Sequence, residues 1–145
     1  MKIEIIKIGK CKHAGVEELT HEYFKRLKPL ASVESILWKE SESEMKIPKL
    51  FGSQTLVIAL DERGKQWTSQ ELASQLRSWQ ENPSIKKCTF VIGGPYGLPP
   101  ELRAQVQHTW SLSAGTLPSD FAWLVVCEQI YRAFTILKGM SYHHE

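Results

Sequence analysis

Apolar positions recur along this chain with two different periods, and the periods alternate. Between Lys2 and Ile8, charged residues are interleaved with Ile3, Ile5, Ile6 and Ile8, and Gly9 closes the run, the pattern of a strand. From Glu17 to Leu30 the period lengthens. Leu19, Tyr23, Leu27 and Leu30 fall at three- and four-residue steps and predict a helix, with Lys25, Arg26 and Lys28 on its outer face and Pro29 at its end. Val33 to Trp38 predicts a second strand, and the acidic, serine-rich KESESEMKIPK after it a solvated connection. Thr55 to Leu60 is almost wholly apolar, which suits a strand covered on both faces in a parallel sheet. Thr68 and Glu71 have the spacing of a capping box, opening a helix to about Gln80 that buries Leu72, Leu76 and Trp79. Cys88 to Ile92 predicts a strand, Pro100 to Gln107 a short helix and Trp110 to Ser113 a short strand.

The last long element, Asp120 to Lys138, is apolar around most of its circumference: Phe121, Leu124, Val125, Val126, Ile130, Phe134 and Leu137. Such a helix is either wrapped inside one domain or shared between subunits. The chain has 145 residues and few other elements to wrap it, so the pattern points to a homodimer. Strand and helix alternate throughout, which predicts an α/β fold with a mainly parallel sheet in a single domain, residues 1–145. Trp38, Trp67 and Trp79 are expected to be packing residues.

Composition narrows the picture only a little. A hydrophobic share of 42% and a charged share of 23% are ordinary for a globular chain long enough to bury a core. The net charge of +2 permits an RNA partner without requiring one. Lys10, Lys12, Lys25, Arg26, Lys28, Lys86 and Lys87 could face RNA or only solvent. Cys11, Cys88 and Cys127 are odd in number and far apart, which argues against a disulfide framework or zinc site and fits a reducing cytoplasm. His13, His21 and His108 have no metal-ligand spacing and are expected at the surface, so no metal is expected. Charges interrupt the isoleucines of the first ten residues, a pattern of neither signal peptide nor membrane span.

Ligands of parallel α/β sheets bind beyond the carboxyl ends of the strands. Three stretches end strands here: Leu60 to Gly64, Gly93 to Gly97, and Leu112 to Pro118. None has the dinucleotide or P-loop glycine spacing, and Pro95 lacks an N–H that an anion site would use. Either the glycines serve a tight turn, or these loops together grip a flat heteroaromatic ligand by its edges, with Leu60, Leu112 and Leu117 against its faces.

In order, LDERGKQWTSQELA, FVIGGPYGL, WSLSAGTLP and EQIYRAFTILKGMSYHHE, together with the first strand, resemble the signature blocks of one family over nearly the whole chain. It is the RlmH (YbeA-type) branch of the SPOUT methyltransferases, which methylate N3 of a pseudouridine in large-subunit ribosomal RNA with S-adenosyl-L-methionine. The resemblance implies a C-terminal trefoil knot whose loops form the cofactor pocket, and a homodimer with the last helix in the interface. It places cofactor contacts on Leu60, Gly93 and Leu112, Ser113, Ala114, Gly115, Thr116 and Leu117, with Gly93 and Gly94 admitting adenosine close to the backbone. It also brings Arg132, Tyr142 and His143 to the active site and the RNA.

Methyl transfer from a sulfonium asks mainly for alignment and a nucleophile that can lose its proton. Arg132 would be a fixed cation, oriented by Glu128 four residues earlier, while Tyr142 to Glu145 read without the family as a terminus that frays. The chain departs from the family pattern at Ser119, where a His is usual, at Trp123, where an Arg is usual, and at Gly115, where a bulkier residue is common. Ser119 and Trp123 motivate an alternative: a non-catalytic RNA-binding relative that keeps the cofactor pocket.

Overall fold

The computed structural model describes residues 1–144. Among these, β1 (Lys2–Ile8), β2 (Ser32–Trp38), β3 (Thr55–Lys65), β4 (Lys87–Ile92) and β5 (His108–Trp110) form one parallel sheet in the order β2-β1-β4-β3-β5. The helices are α1 (Ala14–Leu27), α2 (Ser43–Lys46), α3 (Ser69–Glu81), α4 (Pro100–Gln105) and α5 (Ser119–Leu137).

The central strands β1 and β4 are buried almost end to end because both faces of the sheet are covered. On one face Ile3, Ile5, Ile58 and Phe90 pack beneath α1, α3 and α5. On the other, Ile6, Ile8, Val57, Ala59 and Val91 meet Trp38, Ile47, Leu50, Leu98 and Leu102. The stretch after β2 is mostly the solvated connection its composition predicts, with Ser43 and Ile47 turned inward. Glu40–Glu42 and Ile47–Leu50 are 3-10 turns flanking α2, and Ile47 and Leu50 are buried. A parallel crossover has to return across the sheet, so this segment turns Ile47 and Leu50 inward, each worth roughly 2 kcal/mol of burial, while Met45 stays exposed.

Other boundaries move for identifiable reasons. α1 begins at Ala14 and ends at Leu27, whose carbonyl accepts from the N–H groups of Leu30 (2.8 Å) and Ala31 (3.0 Å) as the chain turns around Pro29. The capping box forms at α3: Glu71 N–H donates to Thr68 Oγ1 (3.1 Å), and Thr68 N–H to the Glu71 carboxylate (2.8 Å). β3 continues past Leu60 to Lys65 through a register irregularity, so the stretch read as a loop is partly strand. β5 is His108–Trp110 rather than Trp110 to Ser113, and the chain beyond it leaves the sheet toward the turn after β4. α5 then returns to pack on α1 and α3, a path consistent with the C-terminal knot implied by the resemblance. Cys11, Cys88 and Cys127 are buried and unpaired as thiols.

Candidate active site

The carboxyl ends of β3, β4 and β5 leave a cavity of about 520 Å3, well within the range of small-ligand sites. Leu60, Ile92, Leu98, Leu112 and Leu117 give it an apolar wall, and Asp61, Glu62, Arg63 and Arg103 a charged rim. Of the residues expected at the cofactor, Leu60, Gly93, Leu112, Ser113, Gly115, Thr116 and Leu117 line this cavity, whereas Ala114 is exposed and does not.

The turn that opens the cavity is built by the chain's own crowding. Gly97 takes φ +77 and its N–H donates to the Gly94 carbonyl at 3.0 Å. A Cβ on Gly93 would stand 2.8 Å from the Gly97 carbonyl carbon, and one on Gly94 would stand 3.2 Å from the Ile8 carbonyl oxygen. The first duty of these glycines is thus to let the backbone pass itself and β1, and the left-handed residue is Gly97. Rim charges are paired. Asp61 sits between Arg63 (3.1 Å) and Arg103 (3.0 Å), and hydrogen bonds from Arg63, acting against burial, hold its carboxyl below the usual range. Glu62 accepts from the Thr116 hydroxyl, joining the end of β3 to the loop after β5.

A second cluster lies at the other end of α5. Arg132 donates twice to Glu128 Oε1 (3.0 and 2.7 Å), stacks its guanidinium 4.7 Å from the Tyr142 ring centre, and donates to His143 Nδ1 at 3.1 Å. Tyr142 donates to Glu128 Oε1 at 3.0 Å and lies 3.3 Å from the Tyr23 hydroxyl. Burial, then Tyr23 and Glu128, push the Tyr142 phenol well above its ordinary value. Tyr142 and His143 are therefore docked and not frayed; Glu145 lies outside the described residues. Neither they nor Arg132 line the cavity. Arg132 is 13 positions beyond Ser119, about 20 Å along the helix axis.

The sequence reading missed a third group. Lys7 Nζ reaches Asp120 Oδ1 at 3.0 Å, with side-chain exposures of only 2% and 7%, and also donates to the Gly9 carbonyl at 2.9 Å. Asp120 Oδ2 takes the Lys12 N–H (2.9 Å) and faces His13 Nδ1 (2.8 Å). Burial alone would raise this carboxyl; His13, the Lys12 N–H and Lys7 together hold it well below the usual range. The available signal was a lysine between two core isoleucines and an aspartate in the first turn of a helix, where negative charge is favoured. Nothing in the local pattern pairs them. His21 is exposed as expected, but His108 is half-buried beside Trp67 and Trp79, and burial lowers its pKa.

Comparison with known proteins decides the family. A family model described as "Predicted SPOUT methyltransferase" matches residues 1–143. The chain belongs to the SPOUT methyltransferase family. It is 41% identical over 150 residues, covering 100% of both chains, to the ribosomal RNA large subunit methyltransferase H of Polynucleobacter asymbioticus. To the protein of the same name from Polynucleobacter necessarius it is 43% identical over 146 residues, again covering 100% of both. A probable methylase family protein from Haemophilus influenzae superposes with a TM-score of 0.58 over 99% of this chain and 70% of that one; at 14% identity this likeness concerns the fold alone.

The departures from the SPOUT pattern fall in different places. Ser119 is on the cavity wall at the start of α5. Trp123 is 5% exposed, packed on Phe24 (6.5 Å between rings) and edge-on to His21 (6.0 Å). It is a core residue. Among the basic residues, Lys87 pairs with Glu4 (3.4 Å) and Arg26 lies over the Tyr23 ring (5.4 Å), while Lys10 and Lys12 are exposed.

Proposed function

We propose that this SPOUT methyltransferase transfers the methyl group of S-adenosyl-L-methionine to N3 of a pseudouridine in large-subunit ribosomal RNA, working as a cytoplasmic homodimer. The observation that carries the reading is the apolar-walled cavity at three converging strand ends, in a chain matched along its length by ribosomal RNA large subunit methyltransferases H. The cavity fits the cofactor in size and lining. Leu60, Leu112 and Leu117 would flank the adenine faces, and the main chain around Gly93 and from Ser113 to Thr116 would meet its edges. When bound, the cofactor supplies a methyl group on a positively charged sulfur. The chain supplies placement, and a cation near the base favours loss of the N3 proton. Arg132, fixed by Glu128, is that cation in our reading, with Tyr142 and His143 beside it.

The site's division supports the dimer. Cavity and tail cluster stand at opposite ends of α5, and the half-buried Val125, the exposed Phe121 and the half-buried Gln129 form a stripe on that helix. A two-fold mate would bring one chain's tail to the other's cavity. The burial of Trp123 removes one ground for the non-catalytic alternative. Nucleoside mass spectrometry of ribosomal RNA from cells lacking the protein should show one missing N3-methylpseudouridine, restored by the purified protein with S-adenosyl-L-methionine. An unchanged profile would refute the reading.

A further inference from the structure

The proton on N3 needs an acceptor, and the two groups of the tail cluster are poorly suited. Arginine is always a donor, so the contact from Arg132 makes His143 Nδ1 an acceptor and leaves its neutral ring protonated at Nε2. Tyr142 already donates its proton to Glu128 and is held in the protonated form. His13 has the opposite arrangement. Its Nδ1 faces a carboxylate that is already engaged by Lys7 and the Lys12 N–H, so in the neutral ring Nδ1 carries the proton and Nε2 the lone pair.

The loop that carries His13 runs beside the cavity, although none of residues 9–13 lines it. At one end, Gly9 lies against Gly94 and Pro95, both cavity residues; the position of a Cβ on Gly9 is 4.0 Å from each. At the other end, Lys12 and His13 are clamped to Asp120, the neighbour of the cavity residue Ser119. The His13 side chain is 58% exposed, with the exposed ring of Phe121 at 6.0 Å and Lys12 next to it in the chain.

We infer that His13, oriented by Asp120, is the general base of the methyl transfer in this chain, in place of the histidine that Ser119 lacks. The inference rests on the proposed function. In the step, the N3 lone pair forms the N–CH3 bond as the CH3–S bond breaks and its electron pair returns to sulfur. The N3 proton passes to His13 Nε2, and the resulting imidazolium faces Asp120. Lys7 and Asp120 are positioning residues: a buried ion pair at the end of β1 and the start of α5 fixes the tautomer and direction of a ring that is itself open to substrate.

Two measurements test this. Long-range 15N–1H spectra of the protein alone should place the neutral His13 proton on Nδ1 and the His143 proton on Nε2. In the Lys7→Met/Asp120→Leu double variant, His13 should shift toward the Nε2–H form. A His13 ring already protonated at Nε2 in the wild type would overturn the proposal. Methyl transfer onto large subunits lacking the modification gives the second readout. His13→Ala should lower kcat by about 100-fold or more while KM for the subunit and the affinity for S-adenosylhomocysteine stay within about twofold, and added imidazole should restore part of the rate. An active wild type with an unimpaired His13→Ala variant overturns the base and leaves the function standing. An inactive wild type overturns both.

Discussion

Asp120→Ala isolates the interaction that local sequence signals could not reveal. Removing the carboxylate leaves the Lys7 ammonium at 2% exposure with the Gly9 carbonyl as its remaining hydrogen-bond acceptor in the described structure. An uncompensated buried charge of this kind costs about 3–5 kcal/mol. The same substitution removes a favourable charge from the first turn of α5 and the acceptor for the Lys12 N–H, so the upper part of that range is expected. For a chain of 145 residues the unfolding entropy is about 0.3 kcal/mol/K, which translates to a fall in Tm of about 13–17 °C. Urea and thermal unfolding at one fixed protomer concentration measure this, since association would otherwise shift the apparent stability. The control is Lys7→Met/Asp120→Leu, which replaces both charges by apolar side chains of similar size and should lie within about 1–2 kcal/mol of wild type. If Asp120→Ala alone costs less than about 1 kcal/mol, or the double variant is as unstable as the sum of its singles, the buried-pair reasoning is wrong.

The same carboxylate sets an acid dependence. Its folded pKa lies below the unfolded value, so its stabilisation is complete above about pH 5 and declines as pH falls through the acid range toward that depressed value. Wild-type stability relative to the double variant should therefore fall from pH 6 to pH 3, and a constant difference would contradict the assignment. Gly93→Ala places a methyl against the Gly97 carbonyl and should weaken S-adenosylhomocysteine binding at least about tenfold by calorimetry, whereas unchanged affinity would mean that the turn tolerates remodelling. Trp123→Arg, which restores the usual family residue, should destabilise the protein by about 3–5 kcal/mol in denaturant unfolding, because an unpaired guanidinium would enter the packing around Phe24. A stable variant with raised activity would show that the position faces substrate.

Local pattern sufficed where a residue's fate depends on its neighbours in the chain. Period-two and period-3.6 runs placed the strands and helices, because each must turn one face or both to a core. The capping box of Thr68 and Glu71 formed because its partners are three residues apart, and the Glu128–Arg132 pair because its partners are four apart. Family blocks then located the cavity residues, although geometry alone showed that Ala114 stays outside and that Gly93 and Gly94 answer first to Gly97 and Ile8.

Pattern failed where the partner comes from a distant segment. Ile47 of the serine-rich connection after β2 joined the cover of a sheet face, and Trp123 entered the core. Lys7 found Asp120 across 113 positions of sequence. What the chain determined by itself was its alternation of elements, its family and the local hydrogen bonds that close within one turn. Only the tertiary structure decided which charges are buried together, which ring nitrogen of His13 faces a carboxylate, and that the cavity and the Arg132 cluster stand at opposite ends of α5. The reason is that desolvation and tautomer choice depend on every group within a few ångströms, and strand order, not chain order, determines which groups those are.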